Sequence, residues 1–360
     1  MFFRILSNRV AALPSSHWAK TRNLESSPAM GPGKSRGVTG HPHGGVTEMK
    51  KFVFAAAMMA LMSSTAFAAN VGVSMALFDD NFLTVLRNGI EAQSKGMGAD
   101  VQIEDAQNDV AKQLDQIKNF IASGVDAIIV NPVDTSATQA MSDAAAAAKV
   151  PLVYVNREPI NVDSLPDNQA FVASNERDSG TLETQEVCRL FKEAGKTEAN
   201  VYVIMGELSN QAAVQRTKDI DEVIATPECS FIKIIDKQTS NWRRDEAQNL
   251  MTNWLSAGKP FDGVIANNDE SAIGAIQAMK AANVDMKSVV VGGVDATQDA
   301  LAAMQAGELD ATVFQDAAGQ GAGALDAALK LAKGEAVDQK VYIPFKLVTP
   351  ANIGDFLKKN

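Results

Sequence analysis

Four short apolar runs in this sequence each end in a cluster of carboxamide, carboxylate or guanidinium side chains. Residues 264–266 lead into Asn267-Asn268-Asp269 and 289–291 into Gly292-Gly293-Val294-Asp295. Residues 128–130 lead into Asn131-Pro132-Val133-Asp134, and 153–155 into Asn156-Arg157-Glu158. Carboxylates and carboxamide oxygens accept hydrogen bonds, and guanidinium forks donate them in pairs. Brought together, such groups can hold a ligand rich in hydroxyls. Nucleophilic chemistry is poorly provided for. The three histidines, His17, His41 and His43, all precede residue 49, so the rest of the chain has no imidazole for a Ser-His or Cys-His pair or a His-bound metal.

The clusters need elements to place them. Run 264–266 reads as a buried strand, and the helix after its polar turn carries Ile273, Ile276 and Met279 on one face. Polar groups at the carboxyl ends of parallel strands face the crevice where open α/β folds bind ligands. From residue 69 onward, strands alternate with helices over short connections, which predicts parallel sheets covered on both faces. Strands are expected at 71–75, 101–104, 127–130, 152–155 and 170–174, with helices at 82–95, 108–123 (capped by Asn108) and 136–148. A second run has helices at 179–194, 212–225, 243–257, 298–306 and 321–333, and strands at 201–205, 231–235, 289–292, 311–315 and 341–346. Two α/β runs of similar size result, with little room for a large lid.

Not all of the 360 residues belong to this pattern. Met49-Lys50-Lys51, the apolar run 52–62 and a small-x-small site ending at Ala68 have the parts of a secretory signal, 49–68. Residues 1–48 show no sustained period and are expected to be a mis-assigned or disordered upstream segment. Eight of the 33 Lys/Arg and two of the 43 Asp/Glu lie in the first 68 residues. That leaves 25 basic and 41 acidic, a net of −16. So acidic a chain argues against nucleic acid and anionic membranes as partners. Cys188 and Cys229 face an oxidising compartment after export; they form either one disulfide or two free thiols.

The segments Asp105-Ala106-Gln107-Asn108, Val130-Asn131-Pro132-Val133-Asp134, Asn156-Arg157, Ala173-Ser174-Asn175, Asn268-Asp269-Glu270-Ser271 and Gly292-Gly293-Val294-Asp295 occur in this order behind the signal. In this the chain resembles the periplasmic sugar-binding proteins of the ribose-binding type, soluble receptors of ABC importers, over about 69–349. The resemblance implies a type I periplasmic binding protein fold of the α/β class, with two Rossmann-like parallel-sheet lobes joined by a three-segment hinge. The lobes would be 69–174 with 316–345 and 175–315 with 346–360. It implies ligand contacts from Asp80 and Phe82 in the first loop, with Phe78 as a second aromatic wall, then Asn156, Arg157 and Asn175. The second lobe would supply Arg216, Trp242, Asn268, Asp295 and Gln315.

Two departures separate the chain from ribose binders. Asn156 stands where they have an Asp before the arginine, and the first loop reads Phe78-Asp79-Asp80-Asn81-Phe82 in place of an Asn-Asn-Pro-Phe-Phe run. The stretch Gln238-Thr239-Ser240-Asn241-Trp242-Arg243-Arg244-Asp245 looks more like the inositol and rhizopine branch, and Asp80 would suit an amine-bearing inositol. The expected function is therefore a monomeric periplasmic receptor that passes an inositol-class polyol to an inner-membrane permease, with no cofactor and no structural calcium. The alternatives are a receptor for ribose or another monosaccharide, and a binding protein coupled to a chemoreceptor. The effector domain of a LacI-type repressor would need a helix-turn-helix that the sequence lacks. An enzyme on sugars could use Asp80 and Asp295 as its carboxylate pair.

Overall fold

Short runs rich in Val, Ile and Ala become parallel strands because both of their faces are covered. The computed structural model describes residues 68–359, so the expected segment 1–48 and all but the last residue of 49–68 lie outside it. In the first lobe β1 (Asn70–Met75), β2 (Asp100–Asp105), β3 (Ala127–Val130), β4 (Leu152–Val155) and β5 (Gln169–Ala173) alternate with α1 (Asn81–Met97), α2 (Val110–Ser123) and α3 (Thr138–Ala148). The second lobe is built from α4 (Glu176–Glu193), β6 (Ala199–Met205), α5 (Gln211–Ile224), β7 (Ile232–Thr239), α6 (Arg244–Ala257), β8 (Gly263–Ala266) and α7 (Asp269–Ala281). It continues through β9 (Val290–Gly292), α8 (Gln298–Gln305) and β10 (Thr312–Phe314). The chain then returns as α9 (Ala317–Ala332) and β11 (Lys340–Tyr342), and crosses again to β12 (Lys346–Val348).

The first sheet has the order β11-β5-β4-β3-β1-β2 and the second β7-β6-β8-β9, with every pairing parallel. Bridges from Gly292 to Ala311 and from Asp295 to Phe314 carry the second sheet on to β10, which pairs antiparallel with β12. The strand order turns back between β1 and β3 and between β6 and β8, which opens a crevice at the carboxyl edge of each sheet. Alternation within strands sorts the cores. Val153 and Val155 pack under α1 and α9, whereas Leu152 and Tyr154 pack under α2 and α3. In the second lobe Tyr202 and Ile204 face α6 and α7, and Val201 and Val203 face α4 and α5.

The α/β class and parallel sheets are as the pattern predicts, and several element ends differ. Asp109, not Asn108, caps α2: its carboxylate accepts from the Ala111 and Lys112 amides at 2.8 and 3.0 Å. Asn108 holds a left-handed φ of 56° instead and reaches Glu207 across the lobes. Helix α4 begins three residues early because Asn175 caps it, and α9 four early because the Asp316 carboxylate accepts from the Gly319 amide. The expected strand 341–346 is two strands in different sheets. Pro344, which has no N–H to give a ladder, lies in the crossing between them. Cys188 on α4 is bridged to Cys229 after α5.

Candidate ligand-binding site

The first lobe offers its β1 and β4 ends. Asp80 caps α1 through Oδ1, which accepts from the Leu83 amide at 2.7 Å, leaving its second oxygen for the cleft. The cap fixes the first turn and so aims Phe82. At the end of β4, Asn156 takes a left-handed φ of 68°, and its amide donates to Gln320 Oε1 at 3.2 Å. Arg157 is buried, and its Nη1 donates to the Pro132 carbonyl at 2.9 Å and to Val133 O at 3.4 Å. The rest of its fork is left to the cavity it lines.

The second lobe answers with α5, the turn after β7, and the ends of β8 and β9. Buried Arg216 is gripped by Glu176, with Nε to Oε2 at 2.7 Å and Nη2 to Oε1 at 3.1 Å. It also donates to Asn267 O at 2.7 Å and Gln315 Oε1 at 3.1 Å, and Asp295 Oδ1 lies 3.9 Å away. Asn241 and Trp242 are both left-handed, with φ of 52° and 66°, which lays the indole across the end of β6. Gly206 is required there, since a Cβ would stand 2.2 Å from the ring. The indole N–H donates to Asn210 Oδ1 at 2.9 Å. Asn268 caps α7 through the Ser271 amide at 3.1 Å and donates to the Trp242 carbonyl at 3.2 Å.

These groups meet around one small cavity of about 50 Å³. Of the expected residues, Asp80, Phe82, Asn156, Arg157, Arg216, Trp242, Asn268, Asp295 and Gln315 line it. Phe78 and Asn175 do not. Phe78 packs with the Arg87 guanidinium, 4.1 Å above its ring, and Asn175 spends its carbonyl on the Arg177 amide. Asp295 is no mere helix cap, because Thr297 caps α8. Leu83, Ala212 and Asn210 also line the cavity. Asn210 stands at a polar strand-to-helix turn like the others and was readable by the same rule. Glu176 also follows a strand end, but only the fold puts it beneath Arg216.

Charge in this cavity is unevenly distributed. Burial lowers the Arg157 pKa, with Asp80 and Glu207 opposing. Burial would lower Arg216 as well, but the Glu176 carboxylate outweighs it and the pKa rises. Burial raises Asp80 against the pull of the Leu83 amide and Arg157. It raises Asp295 well above the carboxylate range against Arg216. Arg216 is shared between Glu176 and Asp295, at 2.7 and 3.9 Å, and Arg157 is opposed by Asp80 and Glu207. The lining holds no hydroxyl, thiol, amine or imidazole. It can bind polar groups between two aromatic walls, and it has no nucleophile other than a carboxylate. Among the described residues no helix is long and apolar enough to cross a membrane.

A family model described as "Periplasmic binding protein domain" matches residues 71–336. A Rhizobium meliloti protein named for an inferred rhizopine-binding activity is 64% identical over 313 residues, covering 87% of this chain and all of its own length. A ribose import binding protein of Bacillus subtilis is 30% identical over 281 residues, 78% of this chain and 87% of its own. Among solved structures, an ABC transporter solute-binding protein of Bacillus halodurans with bound myo-inositol superposes with a TM-score of 0.75 at 38% identity. It covers 81% of this chain and 98% of its own.

Proposed function

The chain belongs to the periplasmic binding protein family, and on that premise we propose that it is the solute receptor of an ABC importer for a cyclic polyol of the inositol class. The observation that carries this reading is the cavity lining. A cyclic polyol has apolar C–H faces, which Phe82 and Trp242 would cover, and a ring of hydroxyls that both donate and accept. Arg157 supplies forked donors, Asp80 and Asp295 acceptors, and Asn156, Asn268 and Gln315 both. The acidic Asp80 in the first loop would suit a ligand carrying an amine, as in an amine-bearing inositol such as a rhizopine. The 64% identical relative and the myo-inositol-bound structure support the same class.

The moving bodies would be 69–174 with 316–345 and 175–315 with 346–360, hinged where the chain crosses between the sheets. We take the protein to be exported, cut after Ala68, monomeric and without catalytic activity, and to deliver its ligand to an inner-membrane permease; coupling to a chemoreceptor would use the same closed form. A ribose-type receptor is the second reading, favoured by the 30% identical relative. Against it stand Asn156 and the acidic first loop.

A thermal-shift screen tests the proposal on protein purified from the periplasm, against myo-inositol, scyllo-inosamine, ribose, galactose, glucose and xylose at millimolar concentration. A ligand that binds only the folded state raises the melting temperature by mass action. A shift with the inositols, larger for the amine, is the expected result. A shift with ribose or another aldose alone would overturn the inositol assignment. Turnover of any of them would overturn the receptor reading.

A further inference from the structure

The two lobes are joined at more places than the chain crossings. Three consecutive residues at the start of α5, Ser209-Asn210-Gln211, are seated in the loop Val133–Thr135 of the other lobe. The Thr135 amide and hydroxyl both donate to the Ser209 carbonyl at 3.1 Å. The Gln211 amide donates to Thr135 Oγ1 at 3.2 Å. Between them, Asn210 Nδ2 donates to the Val133 carbonyl at 3.0 Å. Asn210 is 1% exposed and is saturated, because its other amide hydrogen goes to Ser209 Oγ at 3.2 Å and its oxygen accepts the Trp242 indole N–H.

The Val133 carbonyl also accepts from Arg157 Nη1. A continuous path therefore runs from the Arg157 fork through Val133 O and Asn210 to the indole that walls the cavity. Each link joins groups that cannot be rotated to compensate: a carboxamide has its donor and acceptor fixed on opposite ends of one plane. Parting of the lobes would take the Val133 acceptor away from Asn210. The indole is then held by a side chain with one anchor fewer.

We propose that Asn210 is a positioning residue that couples lobe closure to the orientation of Trp242, so that the aromatic wall takes its ligand-ready pose only when the Ser209–Gln211 clasp is engaged. This rests on the reading of two lobes that open and close, and not on which polyol is bound. Further contacts at the mouth, Asn81 to Glu270 at 2.8 Å and Asn108 to Glu207 at 3.3 Å, add to closure but are not hydrogen-bonded to Arg157 or to the indole.

The experiment measures the distance between spin labels at Asn119→Cys on α2 and Asn253→Cys on α6. Both positions are exposed, and the native cysteines are bonded to each other and do not react. Distances are taken on the purified protein alone and across a titration with myo-inositol. Asn210→Asp keeps the acceptor for the indole and puts an oxygen in place of the donor to Val133. It is expected to shift the open-to-closed ratio by about two- to tenfold, the span that one net hydrogen bond supports. Asn210→Ala and Trp242→Phe are each expected to do the same, and their combination to do less than the sum, as coupled neighbours do. Were Asn210 only structural, its variants would lower the melting temperature and leave the distances alone. Wild-type distances in Asn210→Asp, with and without myo-inositol, or strict additivity with Trp242→Phe, overturn the proposal. So does a wild-type protein that is wholly open in both conditions. Silence in the thermal-shift screen together with the expected shift in the label-only samples would sink the ligand assignment and keep the clasp.

Discussion

Three of the cavity-lining residues, Asn156, Trp242 and Asp295, hold positive φ angles of 68°, 66° and 124° without being glycine. Such conformations cost roughly 1–3 kcal/mol each and persist where the surroundings enforce them. Here the enforcing contacts are visible for Asn156 and Trp242, through Gln320 and Asn210. The strain turns side chains inward at strand ends where an extended backbone would carry them past the cleft. Arg157 is the residue whose loss should be felt most directly. It is buried, and its two protein hydrogen bonds, to the Pro132 and Val133 carbonyls, both use Nη1. Arg157→Ala is expected to weaken polyol binding by about 1.5–3 kcal/mol, or roughly 10- to 150-fold. Isothermal titration calorimetry reads this directly, and a change below threefold would remove Arg157 from the contact set.

At the scale of elements, helix starts do double duty. Asp80 and Asn268 cap α1 and α7 with one oxygen and line the cavity with the remainder of the side chain. Capping thereby fixes where ligand groups point, and the two tasks select the same residue types. Asp269, the first residue of α7, does something else. Its Oδ2 accepts from the Thr297 amide at 2.8 Å and its Oδ1 from the Thr312 hydroxyl at 2.7 Å, which ties α7 to the entry of α8 and to β10. Burial pushes its pKa up to about 7, and burial pushes Asp219 on α5 up to about 6. The folded protein therefore keeps protons that the unfolded chain loses above pH about 4. Stability falls as pH rises from about 4 to 7 and levels off once both states are deprotonated. The melting temperature should be lower at pH 8 than at pH 5 in calorimetry. Asp269→Asn, which resembles the protonated acid, should flatten that slope. A wild-type curve that rises with pH across this window would refute the assignment.

The described residues form two main sheets with separate cores, each covered by helices, and a small further cluster of Val294, Val313 and Phe345. The only disulfide among the described residues lies wholly in the second lobe and closes a loop of 41 residues. By the chain-entropy account such a bridge is worth about 4 kcal/mol. Reduction should therefore weaken one lobe and spare the other, separating a single calorimetric transition into two, with the earlier one moved down by several degrees. A reduced protein that still melts in one unshifted transition would show that the bridge adds nothing.

Much of this was settled by residue order alone. Short continuous apolar runs such as 152–155, bracketed by turns, are too short for helices and read as strands buried on both faces, and their alternation with amphipathic helices points to parallel sheets. Polar clusters after those strands had to face the carboxyl edge. That is why Arg157, Asn268 and Asp295 were legible as cleft-facing before any fold was known, whereas Trp242 came only from the family resemblance. Side-chain direction was not legible. Phe78 and Asn175 stand in the same local context as their neighbours, yet one turns to Arg87 and the other caps α4. Nor could sequence pair Glu176 with Arg216, 40 residues apart, or bring Asn210 against Val133, 77 residues away. Local pattern decides which face of an element is buried; which groups meet across a cleft depends on how two separately folded lobes are set against each other, and no periodicity within either run records that.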